Sequence, residues 1–342
     1  MVTGGRVVHA QRRVAITRLG GQVDRTARLS DEAIARVSRV LVEYAGQWRA
    51  AGIDDVAVCA TSAARDAVNA SRLVRAVEEA TGVTPVVLSG AEEAELTFAG
   101  AVRANGSEPV GGDRRVRASG SEPVGGDRRV RASGSEPVGG DRSVGTRTDH
   151  RVVCDIGGGS TELIAGAGVP RHRVSLQLGS VRLRERHLVH DPPTVDEYAA
   201  LIADADAELS RQPDVFAAEG GVPLIAVAGT ATTLAALAAG TDADDWVDGM
   251  VLTAARLTQL IERLAWIPAR RRLLHAAIVP GREDVVVAGG LLLARVLDRF
   301  GFVAAEVRVA DLLDGIAVRL AADDWPRPGR PVRTSDPYDE GR

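Results

Sequence analysis

Apolar and polar positions follow two rhythms along this chain, a period of two over short stretches and a period near 3.6 over longer ones. The segment RVVHAQRRVAITRL (6–19) predicts a strand, and SDEAIARVSRVLVEYAGQWRAAG (30–52) an amphipathic helix that Ser30 can cap. Strand DVAVCATS (55–62), helix NASRLVRAVEEATG (69–82), strand PVVLSG (85–90) and helix AEEAELTFAGAV (91–102) follow. Further on, RVVCDIGGGSTELIAG (151–166) has two β-rich arms around a glycine turn, and HRVSLQLGSVRLRERHL (172–188) reads as strand then helix. Helix 195–212 precedes strand PLIAVAG (223–229). Helices 230–240, 253–267 and 283–301, strand AEVRVA (305–310) and helix 311–322 complete the series. Such alternation implies α/β layers, here in two halves.

Between the halves a 14-residue unit, VRANGSEPVGGDRR (102–115), recurs as VRASGSEPVGGDRR (116–129) and VRASGSEPVGGDRS (130–143). Each copy offers only Val and Ala among Gly, Ser, Pro, Asp and Arg, too little to build a buried stripe. A first domain over 1–101, a disordered insert over 102–148, a second domain over 149–322 and a disordered, Pro-rich tail over 323–342 are therefore expected.

Composition narrows the chemistry. All 42 basic residues among the 342 are arginine, so neither a P-loop lysine nor a lysine Schiff base is available. Against 46 acidic residues they leave a net charge of −4, which speaks against a nucleic-acid partner. Cys59 and Cys154 sit in apolar runs without metal-ligand spacing, as small buried hydrophobes of a reducing compartment would. No apolar run is long enough to span a membrane, and the start has no hydrophobic core after its charges, so a cytoplasmic location is expected.

The strongest local signal is DIGGGSTE, Asp155 to Glu162. Gly157, Gly158 and Gly159 let backbone N–H groups turn to one side as an anion nest, Ser160 and Thr161 add hydroxyls, and Asp155 and Glu162 bracket the turn with two hard carboxylates suited to Mg²⁺. A plain glycine hairpin with solvated carboxylates is the alternative. Gly229 permits close backbone approach and Thr230 either caps the next helix or meets a substrate. Arg65 and Arg182 are candidate polyanion ligands or surface residues. Glu92, Glu93 and Glu95 read either as the dipole-favoured first turn of a helix or as the source of a catalytic carboxylate.

DIGGGSTELI, VAGTATTLAAL, PGREDVVVAGGLLL and SGAEEAELTFAGAV, with RLGGQVDRTARLSDEAI, CATSAARDAVN, LGSVRLRERHL and ADLLDGIA in the same order, resemble the Ppx/GppA family of exopolyphosphatases and guanosine pentaphosphate phosphohydrolases. The resemblance implies an α/β fold of the actin-like (ribonuclease H-like) type, with two domains and the site in the cleft between them. It implies Glu93 as general base, with Glu92 as fallback, and Mg²⁺ at Asp155 and Glu162. Inorganic polyphosphate or guanosine pentaphosphate or tetraphosphate is the implied substrate, and a homodimer is compatible with it.

The family's opening DxGTNS strand and turn is not matched, since MVTGGRVVHAQRRVAITRLG already corresponds to the family's third strand. The first domain is therefore expected to lack its N-terminal strands, through a misassigned start codon or as a truncated relative. Beside the hydrolase stand two alternatives, a non-catalytic polyphosphate- or alarmone-binding regulator and a sugar or acyl kinase on the same fold. The glutamate at the base position speaks against the kinase.

Overall fold

The structure is a computed structural model that describes residues 2–3, 6–7, 12–103, 150–241 and 247–326. The disordered insert expected from residue 102 and the tail expected from residue 323 begin later, since residues 102–103 end a helix and Trp325 is buried against Leu88, Leu96 and Ile316; their remainders lie outside the described residues.

The first half begins with a two-residue hairpin, β1 (Val2–Thr3) and β2 (Arg6–Val7). The strand expected over 6–19 does not continue through residues 12–17, which have no regular structure. A strand persists only where a ladder takes its N–H and C=O groups, and this segment is held by side chains instead. Arg12 pairs with Asp311 and Asp314, and Arg18 with Asp284. After α1 (Val23–Thr26), α2 (Asp31–Ala50) starts as expected, Ser30 accepting from the Ala33 N–H at 3.2 Å. β3 (Cys59–Ala60), α3 (Ser62–Arg65), α4 (Ala70–Thr81) and β4 (Val86–Val87) follow. β3 and β4 pair in parallel over two residues only, and α2 and α4 share a small core of Ile34, Leu73 and Val77. α5 (Gly90–Arg103) closes this half.

The second half is built on β5 (Arg151–Ile156), β6 (Thr161–Ala167), β7 (Val169–Leu176), α6 (Ser180–His187), α7 (Val195–Leu209), β8 (Leu224–Val227) and α8 (Ala228–Ala239). β9 (Val251–Thr253), α9 (Ala254–Ala265), α10 (Ala269–Arg272), α11 (Val286–Arg299), β10 (Ala304–Val307) and α12 (Leu312–Ala321) complete it. Six strands lie in the order β7-β6-β5-β8-β10-β9. β5, β6 and β7 form an antiparallel meander, β8 and β10 add parallel to β5, and β9 pairs antiparallel with β10. An antiparallel meander extended by parallel strands is the ribonuclease H-like sheet that the motifs imply.

Side chains alternate across these strands and so fill two cores. Val152, Cys154 and Leu163 enter the larger core under α7, α8, α9 and α11, while Val153, Ile164, Ile225 and Val227 face α5 and meet Ala94, Phe98 and Ala101. α12 crosses α5 at unusually close range. A Cβ on Gly100 would stand 2.0 Å from the Asp311 carbonyl oxygen, and one on Gly315 would stand 2.1 Å from that of Leu96. Among the described residues no helix is long and apolar enough to cross a membrane.

Candidate active site

The alternation that fills the α5-side core also decides where the carboxylates point. Asp155 has the parity of Val153, and Glu162 that of Ile164, so both face α5. In the first turn of α5, Glu93 comes down on the same region, and Thr97, one helical turn later on the same face, donates to Asp155 at 3.5 Å. Glu93, Asp155 and Glu162 are all buried, with 6%, 7% and 1% exposure, so the alternative of a plain hairpin with solvated carboxylates is not what the structure holds. Register places Ser175 opposite Glu162, and its hydroxyl donates to Glu162 at 2.7 Å.

Arg65, the last residue of α3, gives Nη1 to Glu93 at 2.7 Å and to the Leu88 carbonyl at 2.8 Å. Burial raises the Glu93 carboxyl above its ordinary range against the pull of Arg65 and the Thr61 hydroxyl. Burial, then the Glu93 charge, pushes Glu162 up to about 7. Asp155 is driven well above the carboxylate range by burial first and by Glu162, Asp311 and Glu93 after it. Carboxylates cost most when buried without enough positive charge, and this cluster has more acid than cation around it.

The glycine turn joins β5 to β6 above these carboxylates. The N–H of Gly157 bonds to the Ser160 carbonyl, while the carbonyls of Gly157 and Gly158 receive the first N–H groups of α6. Among the described residues the N–H groups of Gly158 and Gly159 donate to no backbone carbonyl, so they are available to an anion. A Cβ on Gly159 would stand 2.7 Å from the Ser62 hydroxyl, so any side chain there would have to displace that hydroxyl. The turn faces a cleft of about 360 Å³ that is also lined by Ser62, Gly229, Thr230 and Arg282. Glu93, Asp155 and Glu162 are not among the residues that line that cleft.

A family model described as the Ppx/GppA phosphatase family matches residues 3–110 and 142–321. The chain belongs to that family. Exopolyphosphatase 2 of Mycobacterium tuberculosis is 33% identical over 328 residues, which cover 93% of this chain and 91% of the relative. Exopolyphosphatase 1 of Mycobacterium bovis is 28% identical over 310 residues, covering 89% and 78%. The crystal structure of an exopolyphosphatase-like protein matches with a TM-score of 0.73 at 30% identity over 92% of both chains. The Aquifex aeolicus member of the Ppx/GppA family matches with a TM-score of 0.63 at 25% identity, covering 90% and 87%. The α/β fold of actin-like type read from the motifs is the fold of this Ppx/GppA chain.

Within that fold the sequence-derived candidates fall into two groups. Glu93, Asp155, Glu162, Ser160 and Arg65 form the carboxylate cluster, with the Ser160 hydroxyl hydrogen-bonded to Glu162. Gly157, Gly158, Gly159, Gly229, Thr230 and Arg182 line the cleft. The Thr230 hydroxyl donates to the Ile156 carbonyl at 3.0 Å, which ties the start of α8 to the root of the glycine turn. Thr161 is fully buried on the face opposite Glu162, and its hydroxyl has no partner among the described residues. Arg182 is 9% exposed, its guanidinium bonded to the Gly159 carbonyl, Asp24 and Asp66.

The cluster also contains residues that sequence reasoning did not single out. Asp311 caps α12 in a capping box with Asp314, and burial raises its carboxyl even though Arg12 pairs with it. The pattern D-x-x-D ahead of the apolar run of α12 is the signal that could have found it. The close crossing of α12 over α5 is what brings Asp311 toward Asp155.

The donor set suits Mg²⁺. Asp155 and Glu162 are hard oxygen donors, buried and under-compensated, and the only side-chain donor to Asp155 among the described residues is the distant Thr97 hydroxyl. No group of three His, Cys, Asp or Glu side chains among the described residues closes a full cage. Mg²⁺ binds through one or two carboxylates and completes its shell with water and substrate phosphate, so such a cage is not required.

Proposed function

We propose that this chain releases terminal orthophosphate from inorganic polyphosphate. The observation that carries the reading is the placement of Glu93, held by Arg65 in the first turn of α5, over the Asp155–Glu162 pair at the root of an anion-receptive glycine turn. The names of the mycobacterial relatives support it.

In this reading the N–H groups of Gly158 and Gly159 receive the oxygens of the terminal phosphate, and the turn orients it. Glu93, held in place by Arg65, orients a water and takes its proton at a carboxylate oxygen. Asp155 and Glu162 would hold Mg²⁺, which when bound neutralises charge on the phosphoryl oxygens. The buried position of Glu93 excludes bulk water from the proton-accepting oxygen. Phosphate release that requires Mg²⁺ and is saturable in polyphosphate tests the reading. Polyphosphate bound without any release would instead mark a non-catalytic binding protein.

A second substrate reading, guanosine pentaphosphate, is favoured by one feature. The cleft beside the turn carries Ile16, Leu19, Val23, Val285 and Val286, an apolar lining that a bare phosphate chain does not use and a nucleoside does. Comparing kcat/KM for the two substrates separates them.

A further inference from the structure

Arg182 has the appearance of a phosphate ligand in sequence, yet in the fold its donors are directed elsewhere. Nε donates to the Gly159 carbonyl at 2.7 Å, Nη2 to Asp66 at 2.7 Å, and Nη1 to Asp24. Two carboxylates from the first half of the chain already match this buried guanidinium. Asp24 is further engaged by Arg186, whose Nε donates to it at 2.6 Å.

Asp66 directly follows Arg65 at the C-terminal end of α3, and Arg65 holds Glu93. Ser62, at the other end of α3, abuts Gly159, where a Cβ would stand 2.7 Å from its hydroxyl. Residues 62–66 therefore carry the contact to the candidate base, one contact to the glycine turn through Ser62 and a second link to it through Asp66 and Arg182.

We propose that Arg182 is a positioning residue that fixes the Gly159 carbonyl, and with it the direction of the Ser160 N–H, relative to Glu93 through Asp66 and Arg65. The peptide plane that carries the Gly159 carbonyl also carries the Ser160 N–H, so anchoring the oxygen sets where the opposite edge of the turn points. This rests on the polyphosphatase reading.

The test compares Arg182→Lys, Asp66→Ala and the double variant, using orthophosphate release from polyphosphate and hydrogen–deuterium exchange of the turn amides. A lysine ammonium cannot reproduce the three-way planar fork. Each single variant is expected to lose about 10–100-fold in kcat with KM changed less than about 3-fold, as a misplaced turn would give. The double variant is expected to lose no more than the worse single, because both break one link. The amides that donate to the turn's carbonyls, those of Gly157, Ser180 and Val181, are expected to exchange faster in all three. A direct ligand predicts the reverse split: Arg182→Lys raises KM with kcat retained, and Asp66→Ala frees the guanidinium and lowers KM. Either result, or independent additive losses, overturns the proposal. Asp66→Ala changes a partly exposed side chain and keeps the test decisive if Arg182→Lys does not fold. If the wild-type protein releases no phosphate, the substrate reading fails. The exchange comparison still judges Arg182: unchanged protection of the turn in Asp66→Ala overturns its positioning role, and lost protection upholds it.

Discussion

Asp155 stands directly opposite Glu162 in the antiparallel ladder between β5 and β6, so two buried carboxylates share one face of the sheet beneath α5. Like charges directly opposed across a ladder are destabilising, and a proton or a divalent cation relieves them. The hairpin that supplies the glycine turn thus supplies an acidic pair at its root.

This pair predicts how stability depends on pH. Glu162 in the metal-free fold titrates at about 7 against an ordinary 4.5, so between those values the folded state holds the proton more tightly than the unfolded state. The corresponding stability is present at the acid end and is lost as pH rises through that window. The Tm of metal-free wild type should therefore fall relative to that of Glu162→Gln between about pH 5 and about pH 8. Added Mg²⁺ should raise the wild-type Tm more at the alkaline end. Parallel pH profiles for the two proteins would show that Glu162 does not titrate in this way.

Arg65 sets the ionisation of Glu93. The guanidinium opposes the rise that burial imposes on the Glu93 carboxyl, so its removal raises that carboxyl further. Arg65→Gln should move the acid limb of the kcat/KM profile to higher pH. An acid limb that stays in place would mean that a group other than Glu93 controls it.

Much of this site was legible in sequence because its parts are local. Three glycines between two β-rich arms give the turn, and the two carboxylates that bracket it fall on one sheet face by register alone. Glu93 was found through a family pattern, since three glutamates in a first helical turn look alike until the packing of Ala94 and Phe98 fixes which way the helix faces. What depends on distant contacts was not legible. Arg12 meets Asp311 across 299 positions and Arg182 meets Asp24 across 158, and nothing in their local sequence announces either pairing. The strand expected over 6–19 failed for a related reason, because alternation predicts extended backbone but not whether a neighbouring strand exists to pair with it.

The α5–α12 crossing predicts a steric threshold. With less than van der Waals room between a Cβ at Gly100 and the Asp311 carbonyl, Gly100→Ala must push the two helices apart. A loss of about 1–3 kcal/mol in denaturant unfolding is expected despite the gain in helix propensity. Gly46→Ala, on α2 where nothing lies within 4 Å of the new Cβ, should be neutral or stabilising. Equal effects at the two sites would contradict the close crossing.

The most direct test of the central claim is orthophosphate release from polyphosphate with Mg²⁺ by wild type and Glu93→Gln, each checked for binding of the same polymer. Loss of about 10²–10⁴-fold in kcat with binding nearly intact is expected when a positioned base is replaced by its isosteric amide. Near-wild-type turnover by Glu93→Gln would contradict the account, because the carboxylate that α5 and Arg65 hold over the Asp155–Glu162 pair would then have no part in the chemistry.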